Sequence, residues 1–157
     1  LSRDVVFRYA QIDDLDDIVK MLADDKLGQK RERYAQPLPI SYVNAFQAIS
    51  IDPNNELIVA CFEEKVIGVA QLTFTPHLTH LGGWRATIEG VRTASSHRDK
   101  GIGTKLIQHA IQISKERGCH LVQLTTDKQR EAALHFYQNL GFEATHEGLK
   151  LKIDSNS

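Results

Sequence analysis

Along the first stretch Val5, Phe7 and Tyr9 fall on every second position, the period of a half-buried strand. From Asp13 the period lengthens. Leu15, Ile18, Val19 and Leu22 recur at helical spacing behind an acidic first turn, which suits the positive end of a helix. Residues 26–36, KLGQKRERYAQ, carry no apolar period and predict a polar connection; Ser41 then opens a second helix with Val43, Phe46, Ala48 and Ile49 on its buried side. Two β-rich runs follow, 57–62 and 66–74. The charged residues between them, Glu63, Glu64 and Lys65, are few enough for an antiparallel hairpin. A third run, 85–93, begins behind the Gly82-Gly83 break.

After a glycine-containing loop, residues 104–117 predict a helix with Leu106, Ile107, Ala110 and Ile111 on one face and Gly118 as its stop. Residues 121–126 read as a strand. Asp127 is placed to cap a last helix carrying Ala133, Phe136, Tyr137 and Leu140 up to Gly141, and residues 142–153 read as two short strands. An antiparallel first half followed by a strand, helix, strand crossover implies an α/β fold: a mixed central sheet flanked by helices, in a single domain over residues 1–157. The four prolines, Pro37, Pro39, Pro53 and Pro76, fall between these segments.

Composition narrows the class. The 157 residues carry 19 Lys and Arg against 20 Asp and Glu, a net charge of −1, so bulk charge offers no attraction to nucleic acid. The longest aliphatic and aromatic run, 57–62, falls far short of the ~20 residues of a membrane span. The opening LSRDVVFRYA shows no apolar core of a signal peptide, which points to a cytoplasmic protein. Cys61 and Cys119 belong to no CxxC pair and read as buried free thiols. His77 and His80 (HLTH), with His97 further on, lack the accompanying carboxylates or cysteines of a metal site, so no metal is expected. His77 or His80 as a base stays open; His109, His120, His135 and His146 read as ordinary polar positions.

The segment Arg98, Asp99, Lys100, Gly101, Ile102, Gly103, Thr104 lies between a β-rich run and an amphipathic helix, where exposed amides and the helix dipole favour an anion. Gly101 and Gly103 permit close approach or positive φ. The phosphate-loop pattern GxxxxGK[ST] is absent, and GxGxxG fails because Leu106 stands in the place of the third glycine.

What fits is R-x-x-G-x-G, and here the chain resembles the GNAT superfamily of acyl-CoA-dependent N-acyltransferases, whose [QR]xxGx[GA] loop wraps the CoA pyrophosphate. The resemblance extends to the upstream TIEGV, the helix after the loop, the strand LVQLTT and the pattern Phe136, Tyr137, Gly141, Phe142, covering about residues 83–143. It implies acetyl-CoA as co-substrate, without a metal, held by Val91, Arg92, Thr93, the loop Arg98 to Thr104, Arg130 and Phe136. Many members carry Asn where this chain has Arg130, so a contact to a CoA phosphate and a solvated side chain both stay open there.

The resemblance aligns Glu89 with the general base of several members, and Tyr137 with the tyrosine that returns a proton to the CoA sulfur. It places the amide near Val91 as donor to the carbonyl oxygen. The bland readings stay beside these: Glu89 as a structural carboxylate paired with Arg85 or Arg92, and Tyr137 as core. The basic run Lys30, Arg31, Arg33 reads as a solvated loop, or else as a preference for an acceptor bearing phosphate, phosphonate or carboxylate. The expected function is acetyl transfer to a primary amine, on a small molecule rather than a protein, by direct attack in a ternary complex. No cysteine nucleophile is expected. The resemblance is compatible with a homodimer. A non-catalytic acyl-CoA binding or sensing module is the alternative.

Overall fold

The structure, a computed structural model, describes residues 4–153. Its elements run β1 (Val6–Tyr9), a 3-10 turn (Ile12–Asp14), α1 (Leu15–Ala23), α2 (Gly28–Arg31), α3 (Ile40–Ile51), β2 (Asn55–Phe62) and β3 (Lys65–Pro76). There follow a single turn α4 (Thr79–Gly82), β4 (Trp84–Thr93), a 3-10 turn (Ser95–His97), α5 (Ile102–Glu116), β5 (Leu121–Gln123) and α6 (Glu131–Asn139). The chain divides into two bodies after Leu124.

The first body is an α/β layer structure around one mixed sheet of order β1-β2-β3-β4-β5, antiparallel except for the β4–β5 pair. The β2–β3 hairpin pairs Phe62 with Lys65 across Glu63 and Glu64, whose φ of 48° and 65° supply the double left-handed turn that a two-residue hairpin needs.

Register assigns the faces. Leu72 pairs with Ile88 and Phe74 with Ala86 on the side that α5 covers, where Ile102 and Leu106 pack on Ala60, Ile67 and Ala70. Gly68 makes this seat possible: a Cβ there would stand 2.9 Å from Leu106 Cδ1 and 3.3 Å from Ile102 Cγ2. On the other side Ile18 and Met21 of α1 pack on Val59, Cys61, Val66 and Val69, and Phe46 of α3 joins Leu15 and Val19. The C-terminal end of α5 is fixed by Arg117, which lies 2.8 Å from Glu56 and stacks its guanidinium 4.0 Å above the Phe74 ring.

Several sequence expectations are corrected. The connection 26–36 contains a helical turn, α2. Ala48 is exposed, and of the expected α3 face only Phe46 is buried. The strand expected over 121–126 closes at Gln123, because β4 offers it only Arg85, Ala86 and Thr87 as partners. Asp127 does not cap α6: its carboxylate accepts the Gln129 amide 2.8 Å away within the preceding turn, and Arg130 holds the cap position. Cys61 is buried but Cys119 only half so. His109 is no plain surface residue, since its ring stacks on Phe7 at 4.6 Å.

The second body holds α6, where Tyr137 meets Phe136 and Phe142 edge to face at 5.1 and 5.8 Å. Among the described residues the two strands expected over 142–153 do not form; the segment takes no ladder partner and bends at His146. Alternating Leu149, Leu151 and Ile153 supply the strand pattern, but a strand also needs a neighbouring edge to bond.

Candidate active site

The site in the first body grows from the end of β4 and the start of α5. Pairing with β5 stops at Thr87, so from Ile88 onward β4 has no strand on that side among the described residues. On the other side, Gln71 pairs with Glu89 and Val69 with Arg92, leaving Gly90 and Val91 opposite the single residue Ala70. This bulge, with Gly90 at φ 63°, frees backbone amides around Val91 from the ladder.

Past Thr93 the chain turns through Ser95–His97 to Arg98, and Asp99 and Gly101 both take left-handed φ, 62° and 79°. A Cβ at Gly101 would meet nothing within 4 Å, so it is the backbone conformation and not crowding that calls for glycine. Ile102, Gly103 and Thr104 form the first turn of α5, with Ile102 buried as its anchor. That turn has no acidic residue and no side-chain cap. Its amides and positive dipole end are therefore available to an anion, with Lys100 and Lys105 alongside in sequence. This arrangement fits a diphosphate.

Two arginines of the predicted set are held by residues that the sequence reading passed over. Arg98 donates to the Asp24 carbonyl at 2.9 Å and lies 3.5 Å from its carboxylate. Arg92 lies 3.4 Å from the Asp25 carboxylate and donates to the Val91 carbonyl at 2.8 Å. Asp25 also accepts the Gly28 amide. Both aspartates sit just past α1, where the negative end of the helix dipole disfavours acids, and that misplacement was the legible sign that cations are near.

Glu89 is exposed on the sheet face opposite α5, in register with Gln71. The same face carries Thr73 and Thr87 as a pair, with Gln71 bonded to Asn55 at 3.1 Å and Gln123 bonded to Thr87 at 3.2 Å. The expected pairing of Glu89 with Arg85 or Arg92 gives way to other bonds of those arginines: Arg92 faces Asp25, and Arg85 reaches Thr79 at 3.4 Å. His77 Nδ1 lies 3.1 Å from the Thr75 carbonyl, and the His80 ring is 5.2 Å from His120. Among the described residues no cluster of His, Cys, Asp and Glu could hold a metal ion. Burial pushes both the Cys61 and Cys119 thiols up, away from the thiolate a nucleophile needs.

In the basic run, Arg31 pairs with Glu32 at 3.0 Å, and the Arg33 amide donates to the Tyr42 hydroxyl at 3.0 Å. The structure thus brings Glu89, Val91, Arg92 and Thr93 together with the loop 98–104 in the first body. Arg130, Phe136 and Tyr137 lie in the second. Among the described residues no helix is long and apolar enough to cross a membrane.

Comparison with known proteins adds independent evidence. The acetyltransferase (GNAT) family model matches residues 16–142. The chain is 34% identical over 89 residues to glucosamine 6-phosphate N-acetyltransferase of Trypanosoma brucei brucei, a stretch that is 57% of this chain and 58% of that one, so it spans little more than half of that relative. It is 27% identical over 106 residues, 68% of each chain, to aminoalkylphosphonate N-acetyltransferase of Salmonella typhimurium. Among solved structures, a transcriptional regulator from Bacillus halodurans superposes with a TM-score of 0.93 at 61% identity, over 96% of this chain and 100% of that one.

Proposed function

This chain belongs to the acetyltransferase (GNAT) family, and from that premise we propose that it is an acyl-CoA-dependent N-acetyltransferase, moving the acetyl group of acetyl-CoA to a primary amine by direct attack in a ternary complex. The observation that carries the reading is the uncapped, acid-free start of α5 beside the unpaired end of β4. One feature binds a diphosphate and the other offers amides to a pantetheine arm and a carbonyl oxygen. That the family match runs through both bodies supports treating residues 1–157 as one acetyltransferase domain.

When bound, acetyl-CoA supplies an acyl thioester. The chain's own residues do the rest. The loop from Arg98 to Thr104 takes the diphosphate, with Val91, Arg92 and Thr93 along the arm; the family resemblance is what adds Arg130 and Phe136 to the proposed cofactor contacts. The Val91 amide donates to the carbonyl oxygen as charge develops there. Glu89 accepts the proton that the ammonium must lose, directly or through water. As the C–N bond forms and the C–S bond breaks, the nitrogen sheds its second proton to water, and Tyr137 gives the departing sulfur a proton and regains one from solvent. A phenol near pKa 10 and a thiol near 8.5 make that transfer uphill by roughly 2 kcal/mol, within reach of local fields.

The acceptor we propose is a small amine. Both relatives' names specify small molecules bearing phosphate or phosphonate, and the run Lys30, Arg31, Arg33 supports an anionic acceptor here. The two free thiols favour a reducing compartment, the cytoplasm. Tyr137→Phe tests the assignment of roles: kcat falls at least tenfold while CoA affinity, read by calorimetry, is unchanged. An equal loss of both would make Tyr137 structural.

The regulator's name borne by the Bacillus halodurans structure favours one second reading, an acyl-CoA sensing module that binds without turnover.

A further inference from the structure

Helix α5 stops before the strands it covers. Phe74, Ala86 and, two residues earlier on the same face, Trp84 continue the apolar row of β3 and β4, but the helix ends at Glu116 and the chain turns away through Gly118 at φ 77°. The space beyond its end is a cavity of about 180 Å³ lined by Asn54, Phe74, Trp84, Arg117 and Cys119, all in the first body. Main-chain bonds pin the walls: the Phe74 amide donates to the Asn54 carbonyl at 2.9 Å, the Cys119 amide to the Ser114 carbonyl at 3.0 Å, and the His120 amide to the Trp84 carbonyl at 2.9 Å. The glycine loop lies at the other end of α5, about 22 Å away along its 15 residues, so the cavity is outside the candidate active site.

Its polar groups are unused. Arg117 donates to the Pro53 carbonyl at 2.9 Å and to Glu56 at 2.8 Å, both from Nη2, which leaves the N–H groups of Nε and Nη1 without a partner among the described residues. Asn54 is bonded through its main chain alone, and its side-chain amide has no partner among them either. Size and charge narrow the ligand. A cavity of roughly 150 Å³ takes a benzene ring and pockets for drug-sized molecules begin near about 300 Å³, so this one suits a single ring. Phe74 already carries the Arg117 guanidinium 4.0 Å from its ring, which leaves the partly exposed indole of Trp84 as the flat wall. Glu56, its side chain 9% exposed, already answers the charge of Arg117: an anionic ligand would meet a second buried negative charge, and a cationic one would meet the guanidinium. What fits is a neutral ring with an acceptor for Arg117 and a donor–acceptor edge for the Asn54 amide.

We propose that this cavity binds a neutral one-ring heteroaromatic amide or lactam, the chemistry that pyrimidine bases and pyridinecarboxamides share. The proposal does not depend on the acetyltransferase reading. Trp84 is the only tryptophan of the chain, so its indole N–H gives one side-chain cross-peak in a nitrogen-15 correlation spectrum and reports on the cavity directly. Titrating the full chain with uracil and with nicotinamide should move that peak saturably with at least one of them, while benzoate and benzylamine do not. The response should persist with CoA in excess and in Arg98→Ala. Asn54→Ala should weaken it about fivefold, the loss of one hydrogen bond, and Cys119→Leu, which fills the cavity, should abolish it with an unchanged far-ultraviolet spectrum. Should Cys119→Leu fail to fold, Asn54→Ala, in the turn before β2, decides. No saturable shift with either probe up to about 10 mM overturns the proposal. So does an equal response to benzoate or benzylamine, a response that CoA or Arg98→Ala removes, an affinity untouched by Asn54→Ala, or a folded Cys119→Leu protein that still binds.

Discussion

Arg98 donates a 2.9 Å hydrogen bond to the backbone carbonyl of Asp24, joining the glycine loop to the end of α1 across 74 residues of sequence. The bond makes Arg98 a strut for the loop as well as a cation beside the proposed diphosphate. Its neighbour in function is Arg92, which ties β4 to Asp25. The two sides of the proposed cofactor channel are thus braced on one short stretch of chain.

Arg98→Ala is expected to raise the Kd for CoA about ten- to a hundredfold, the equivalent of a charge-assisted hydrogen bond. Asp24→Ala keeps the backbone acceptor and removes only a half-exposed ion pair of 3.5 Å, so its effect stays below about fivefold. Calorimetry with CoA separates the two. Equal losses would mean that the carboxylate, not the carbonyl, holds the strut.

Gly101 and Gly68 are required for different reasons, and substitution should show it. Gly101→Ala forces a Cβ into left-handed backbone at φ 79° with no clash, which costs about 1–2 kcal/mol of stability and weakens CoA binding as the loop shifts. Gly68→Val overpacks against Leu106 and Ile102, costs about 1–3 kcal/mol, and tilts the first turn of α5. Thermal unfolding of both variants, with CoA affinity measured alongside, checks this. A Gly101→Ala protein as stable as wild type would contradict the backbone account.

Asp14 accepts two bonds from Arg8, at 2.6 and 2.9 Å, and one from the Gln11 amide at 2.7 Å. The Arg8 guanidinium first, and the Gln11 amide after it, hold the carboxyl below its ordinary value against the opposing effect of burial. Because the folded pKa is depressed, the stabilisation is fully present above the unfolded carboxylate's value near 3.9 and is lost as pH falls through the lower, folded one. Asp14→Asn should therefore cost about 1–2 kcal/mol near pH 7, and the Tm gap from wild type should close below about pH 4. A gap independent of pH would refute the linkage.

What the sequence made legible is what is local. The α5 period, its Gly118 stop at φ 77° and the glycine loop are written in adjacent positions, and all three stand in the structure. α3 was harder, because its apolar residues are scattered around the helix, with Ile40 and Ile51 exposed, so no periodicity singles out one buried face. Residues 142–153 show the limit most plainly: alternation marks which residues want to be strand, but the partner edge lies elsewhere. Of the proposed site, the loop is legible in its glycine spacing, whereas Glu89 enters only through the family resemblance. The anchors Asp24 and Asp25 were passed over because their partners are distant in sequence.

The central claim is most directly tested by thiol release from acetyl-CoA in the presence of a panel of amines that includes glucosamine 6-phosphate, an aminoalkylphosphonate, amino acids and polyamines, with products identified by mass. CoA thiol is expected to appear only with an accepted amine, in step with a product heavier by one acetyl group. Binding of CoA with no amine-dependent thiol release across the panel would leave a sensor in place of an enzyme, and no binding at all would contradict the loop's assignment itself.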